Sequence, residues 1–455
     1  MATVAASLPE LITLLDGTAR IEGDRVVVTD EAAFRARTVV DLAWTQTFSE
    51  DATTVEAARW IIWEASQALG ARSASIQDFY AARARDEFDG LTVPAINIRM
   101  DTFDTAKAVF ATAKAKGVGP VILELARSEQ TYTWQRVFEY APNCLAGAIA
   151  AGWVGPVFIQ GDHYQVNAGK YGTEPDKELK AIESLVRESV DAGFLNIDID
   201  ASTVVDLKQQ TMDKQQEKNY LITANMTKFV RQMEPKGVSV SVGGEIGEVG
   251  GRNSTVDDLR AFMTGYKKLV GSGVKGISKI SVQTGTTHGG VVLPDGSLAK
   301  VELDFNVLEQ LSKAAREEYG MAGAVQHGAS TLPEEAFSLF PKVGTAEVHL
   351  ATGFQNMIYD SPYFPKELMD NIAGHLVNNY SHEAKKGETR EQFLYKTRKR
   401  AFGEFKKEIW SLPQESASAI GEALESRFSL LFRELNVVNT VDLVGKFVGH
   451  QQPSA

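Results

Sequence analysis

The chain has 455 residues, 44% of them apolar and 23% charged, with a net charge of −12. This composition excludes an intrinsically disordered chain and a disulfide scaffold, and the acidity argues against a nucleic-acid partner. At ~150 residues per domain there is room for about three domains, or for one large barrel with extensions.

The start, MATVAASLPELITLL, lacks a basic leader region and places Glu10 inside its apolar stretch. Residues 1–87 read as a mainly helical N-terminal extension. VEAARWIIWEASQALG has apolar residues at helical spacing and stops at Gly70, and RIEGDRVVVTD reads as a small hairpin. The face with Trp60, Ile61, Ile62 and Trp63 is too large to stay exposed, so these helices are expected on the outside of the main domain or in a homodimer contact.

From 88 to 362 the pattern changes. Short apolar runs (TVPAINI, PVILEL, PVFIQ, FLNIDID, VSVSVGGEI, ISKISVQT, AGAVQH, AEVHLAT) alternate with amphipathic stretches such as DKELKAIESLVRESVDAG. Eight runs separated by helices predict an α/β fold, a closed (β/α)8 TIM barrel, with an open doubly wound sheet as the alternative. The uncharged stretch from Tyr140 to Gly161 contains Asn143, Gly147, Gly152 and Gly155-Pro156. It reads as helix, break and strand, so no membrane span is expected. Residues 363–455 return to helix only, a C-terminal extension ending in the frayed tail GHQQPSA. The single cysteine, Cys144, allows no internal disulfide and no CxxC metal site, which fits a reducing, cytoplasmic setting.

Three histidines fall where a barrel places its active site, after a strand and beside glycine: His163 in IQGDHYQVN, His288 in VQTGTTHGG and His327 in AVQHGAS. Three neutral imidazoles around an open fourth position make a catalytic zinc arrangement; the alternative is a satisfied polar histidine at each place. His349, in the eighth run, can join them. His375, His382 and His450 read as solvated surface groups. Carboxylates share the rim: Asp162, Asp198, Asp200, Glu245 and Glu248. Beside a divalent ion they can deprotonate a hydroxyl or hold a second cation, while Asp198 and Glu248 read better as strand-end caps of the next helix. The glycines of GGEIGEVGG suit either a phosphate cradle or a tight turn. No P-loop is present, because GK[ST] occurs nowhere.

These motifs resemble, in order and from about Pro94 to Gln355, those of the class II metal-dependent fructose-bisphosphate and tagatose-bisphosphate aldolases. The resemblance rests on GDHY, IDAS, GGEIGEVGG, THGGVVLPDG and QHGASTLPEE. It implies Asp162 as catalytic acid/base and His163, His288 and His327 as zinc ligands. Glu245 and Asp200 would orient those ligands or bind the metal, and Gly289, Gly328 and Ser330 would contact phosphate. The implied cofactor is Zn2+, with Co2+ or Mn2+ in its place and a monovalent cation beside it. The implied partner is a phosphorylated sugar, in a homo-oligomer of two or more copies. In the last strand His349 and Gly353 stand where the family has asparagine and aspartate, and Thr352 is retained. His349 and Thr352 are therefore expected on the substrate wall. Segments GDHxxxN and AGFxxxxDAS also resemble the large subunit of tagatose-bisphosphate aldolase. A metal-dependent ketose epimerase and a non-catalytic partner subunit are thus the alternative functions.

Overall fold

The computed structural model describes residues 2–247, 252–285, 293 and 303–449. Eight strands form a closed parallel ring: β1 (Val93–Asn97), β2 (Ile122–Ala126), β3 (Gly155–Gln165), β4 (Asn196–Asp200), β5 (Ser241–Glu245), β6 (Lys279–Val282), β7 (Ala324–Gln326) and β8 (Glu347–Leu350). The ring closes where β8 pairs with β1, Val348 opposite Pro94 and His349 opposite Ala95. All eight apolar runs form its strands. Parallel strands are buried on both faces, which is why they read as short apolar runs. The open doubly wound alternative is excluded by the closure.

The N-terminal segment folds as a hairpin, Ala19–Glu22 with Arg25–Val28, followed by helices. Ile61 and Ile62 of helix Ala52–Leu69 are fully buried. The helix packs on Val137–Ala150, which belongs to the outer layer of the barrel. A short strand, Ala71–Ala74, lies parallel to the start of β3 with Ala71 opposite Gly155. Helix Gln77–Ala84 then closes the bottom of the ring. From it the buried Arg83 donates to the carbonyls of Leu91 (2.6 Å) and Thr345 (3.1 Å), and the Tyr80 hydroxyl donates to the Glu347 carboxylate.

At the other end of the chain, helix Gln414–Glu434 packs on Thr102–Lys116. Trp410 binds the two ends together. Its ring lies 5.8 Å from Trp44, 5.3 Å from Phe48 and 6.4 Å from Phe103. Among the described residues no helix is long and apolar enough to cross a membrane.

Candidate active site

The mouth at the C-terminal ends of the strands holds a cavity of about 530 Å3 lined by Asp162, His163, His327, His349, Gly328 and Ser330, among others. Asp162 and His163 reach it through a β-bulge. Gly161 pairs with Ile197 of β4, and pairing resumes with Tyr164 opposite Ile199. An unbroken strand would send Asp162 and His163 to opposite faces. The extra residue, with His163 at a φ of 41°, breaks that alternation and turns both into the mouth. The pair therefore sits inside β3, which runs on to Gln165, and not after the strand as the sequence reading places it. Tyr164 faces outward. Its hydroxyl pairs with that of Ser189 on helix Pro175–Asp191, away from the cavity.

His327 follows β7 directly and stands between two other imidazoles, its ring centroid 4.2 Å from those of His163 and His349. Asp162 lies among all three. Its Oδ1 is 3.2 Å from His349 Nδ1, 3.5 Å from His327 Nε2 and 3.9 Å from His163 Nε2. Asp200 Oδ2 (3.1 Å) and Glu245 Oε2 (3.3 Å) both meet Nδ1 of His163. Asp200 is itself fixed by Ser202 and by Gln165, which donate at 2.7 and 2.6 Å. The two carboxylates thus hold His163 by Nδ1 and aim its Nε2 toward Asp162 and His327. His288, Gly289 and Glu248 lie outside the described residues.

Electrostatics follow from this packing. Burial would raise Asp162, but the imidazoles of His163 and His349 outweigh it and hold the carboxyl well below its ordinary range. Burial is likewise overcome at Asp200, where the hydrogen bond and charge of His163 bring the group to about 2. Glu245 moves the other way, to about 8, through burial and the neighbouring Asp200 charge. His327 is pushed well down by burial and by His163 and His349. It is therefore the imidazole held neutral, the form that binds a metal ion.

Beneath the mouth lies a charged layer that sequence reasoning missed. Lys279 of β6 is 1% exposed and its ammonium donates to Gln160 Oε1 (2.7 Å) and to the Glu347 carboxylate, with Asp198 Oδ2 at 3.0 Å. Gln160 Nε2 bridges Glu124 (3.0 Å) and Glu347 (2.9 Å). His349 joins this layer to the mouth, with Nε2 on Glu347 (2.6 Å) and Nδ1 near Glu124 (3.0 Å). Burial and the Asp162 charge lift Glu124 to about 7. Asp198 is not the helix cap expected of it; it is buried in this layer, opposite Lys279. The signal in the sequence was a lone charge inside each apolar run: Glu124 in PVILEL, Lys279 in ISKISVQT and Glu347 in AEVHLAT.

On the rim, Ser330 Oγ accepts from the Gly353 amide (3.1 Å), and Thr352 Oγ1 accepts from Arg99 (3.2 Å). A Cβ at Gly353 would lie 2.7 Å from the Ser330 carbonyl oxygen. An aspartate there would therefore displace the Ser330 turn, so Gly353 and Ser330 go together. His382 is exposed, while His375 is half-buried with its ring 5.5 Å from Phe405, and so is less solvated than its sequence suggests. His450 lies outside the described residues.

Residues 81–409 match the family model for class II fructose-bisphosphate aldolases. The chain belongs to the class II fructose-bisphosphate aldolase family. Aldolase-type lyase chemistry follows from that membership. Solved structures similar to this aldolase-family chain include the following three. A probable tagatose 6 phosphate kinase from Sinorhizobium meliloti is 16% identical, covering 80% of this chain and 95% of its own, with a TM-score of 0.50. A fructose-bisphosphate aldolase from Campylobacter jejuni is 16% identical over 81% and 97% of the two chains, with a TM-score of 0.48. A putative fructose-1,6-biphosphate aldolase from Coccidioides immitis is 15% identical over 80% and 97%, with a TM-score of 0.46. At these identities the likeness shows the fold alone. No curated protein sequence matches.

Proposed function

We propose that the chain is a zinc-dependent aldolase that reversibly cleaves a phosphorylated ketose, such as fructose 1,6-bisphosphate, to dihydroxyacetone phosphate and an aldehyde. One observation carries the reading: Asp162, His163 and His327 offer ligand atoms within 4.8 Å of one another at the mouth of the barrel. The donor set fits a divalent ion. Imidazole nitrogens suit zinc, and Asp162 Oδ1 is buried without a hydrogen bond among the described residues. His163 and His327 would hold the ion, with His288 as third ligand by family resemblance. Bound there, the ion would supply Lewis-acid polarisation of the ketose carbonyl.

The chain's own groups do the rest. The neighbouring imidazoles keep Asp162 ionised, so it enters cleavage as a base, takes the proton from the hydroxyl beyond the breaking bond and returns it in condensation. Asp200 and Glu245 fix the ring of His163. Gly328 and Ser330 line the cavity where backbone and hydroxyl donors suit a phosphate, and Gly289 is the third such residue by resemblance. A second reading, a ketose epimerase using the same retro-aldol step, is favoured by one feature: His349, in the family's asparagine position, contacts Asp162 at 3.2 Å. A second polar group there can hold the aldehyde for re-addition. Product analysis separates the two, since only the aldolase releases a triose.

The test combines metal analysis with a cleavage screen of phosphorylated and free ketoses in zinc, cobalt and manganese. His163→Ala, His288→Ala and His327→Ala each lose bound metal and activity together. Asp162→Ala keeps metal and fold but loses ~10²–10⁴-fold in rate, the usual contribution of a positioned acid/base. His382→Ala does neither. Histidine variants that retain stoichiometric metal overturn the reading.

A further inference from the structure

The helix that closes the bottom of the ring, Gln77–Ala84, belongs to the N-terminal extension and is pinned at both ends. At its start the Ile76 amide donates to Asn196 Oδ1 (2.9 Å), while Asn196 Nδ2 donates to the carbonyls of Ala74 (3.2 Å) and Ile159 (3.0 Å). Near its end Arg83 donates to the carbonyls of Gly344 (3.2 Å) and Thr345 (3.1 Å), which lead into β8. Tyr80 and Arg83 are three residues apart, so they share one face of the helix. That face meets the start of β8, and the fully buried Tyr80 ends with its hydroxyl on Glu347.

Glu347 needs that hydroxyl. Its Oε1 is crowded, accepting from the Lys279 ammonium, from Gln160 (2.9 Å) and from His349 Nε2 (2.6 Å). Its Oε2 accepts from Tyr80 and, among the described residues, from nothing else. Without the hydroxyl a buried carboxylate oxygen loses its single donor, and the group can recover one only by turning and sharing out the three donors of Oε1. The donor is not lost by ionisation, since burial and the Glu347 charge push the phenol well above its ordinary range. One of the three donors is His349. With Nε2 on Glu347, its ring turns Nδ1 toward Asp162 Oδ1 (3.2 Å) and Glu124 Oε2 (3.0 Å).

We propose that Tyr80 is a positioning residue for the base in the mouth. Its hydroxyl fixes the Glu347 carboxylate, Glu347 fixes the plane of the His349 ring, and His349 holds Asp162. The N-terminal extension is thus part of what orients the active site, although Tyr80 lies just outside the 81–409 that match the family model. The proposal rests on the aldolase reading for the role of Asp162, and on the hydrogen bonds alone for the path that leads to it.

The test uses the full chain and two readouts. Tyr80→Phe keeps the ring and removes only the donor. On the ketose found by the screen, its kcat should fall by about 10-fold, the low end of what a ligand-orienting partner contributes, while KM and bound zinc hold. Phe79→Leu alters the same helix where its ring packs on Phe88, with centroids 4.4 Å apart. It should lower the urea midpoint and leave kcat in place, which separates positioning from general loosening of the helix. In a His349→Asn background the path is cut, so Tyr80→Phe should change kcat by less than about two-fold. The second readout needs no substrate. In NMR of isotope-labelled histidine, the Nε2–H proton of His349, assigned by its loss in His349→Asn, should move in Tyr80→Phe and stay in Phe79→Leu. An unmoved proton, an unchanged kcat in Tyr80→Phe, or an equal kcat loss in both backgrounds overturns the proposal. A proton that moves as expected in a protein whose wild type cleaves no ketose overturns the aldolase reading instead.

Discussion

Lys279→Met removes the only ammonium in the buried layer under the active site, among the described residues, and its cost can be worked from the contacts. The side chain is 1% exposed, and the carboxylates of Asp198 (3.0 Å) and Glu347 both face its Nζ. At 3 Å and an effective dielectric of about 20 each attraction is about 5 kcal/mol before desolvation. Removing one partner of a buried pair usually costs about 3–5 kcal/mol net, because the orphaned charge stays buried. The loss has a natural limit. Burial already holds Asp198 at about 6 despite Lys279, and without the ammonium it rises further and takes up a proton near neutrality. A carboxyl raised above its unfolded value binds more protons in the native state, so the variant's stability falls as pH rises, by up to about 1.4 kcal/mol per pH unit. Urea unfolding at pH 6 and pH 8 reads this directly. Both proteins should lose stability from pH 6 to pH 8, because Glu124 at about 7 and Glu245 at about 8 titrate in each, and Lys279→Met should be weaker at both values with the larger deficit from the wild type at pH 8. Adding Asp198→Asn and Glu347→Gln to Lys279→Met should recover at least half the loss. A variant that unfolds with the wild type, or whose deficit ignores pH, would show that the layer is not held by this ammonium.

Two further perturbations probe the mouth. Gly161→Ala would place a Cβ 2.3 Å from Tyr164 Cζ, which should push the ring from Ser189 and cost about 1–3 kcal/mol in a thermal or urea midpoint. In a Tyr164→Leu background the same change should cost little, and an equal cost in both backgrounds refutes the clash. Zinc at 100-fold above its dissociation constant should stabilise the wild type by about 2.7 kcal/mol and leave His163→Ala unmoved; a thermal scan with and without chelator decides.

The ring was legible because each barrel strand is covered on both sides and so appears as an apolar run. Strand Ala71–Ala74 was not, because its ARSA sequence has no apolar pattern and gains its conformation by pairing with β3. GDHY pointed to Asp162 and His163, but nothing local announces a left-handed non-glycine residue, so the bulge that turns both into the mouth could not be read. Glu124, Lys279 and Glu347 were hidden for another reason. A charge inside an apolar run says only that it needs a partner, and the partner lies on a different strand that closure of the ring brings near.

That hidden layer bears on the chemistry above it. A barrel core is ordinarily filled by branched apolar side chains. Such a filling would leave His349 Nε2, at 4% residue exposure, with nothing to bond below. Here Glu347 meets that nitrogen at 2.6 Å, Lys279 neutralises Glu347, and the other face of the ring is left for Asp162 at 3.2 Å. Burial would discharge His349, but Glu124 and Asp162 hold its pKa well above the usual histidine range. A charged imidazole so placed keeps Asp162 ionised. Lys279 thus stands three contacts beneath Asp162, through Glu347 and His349, and the apolar-run signature of the barrel survives because Glu124, Gln160, Asp198 and Lys279 come one to a strand and only β8 gives that layer two, Glu347 and His349.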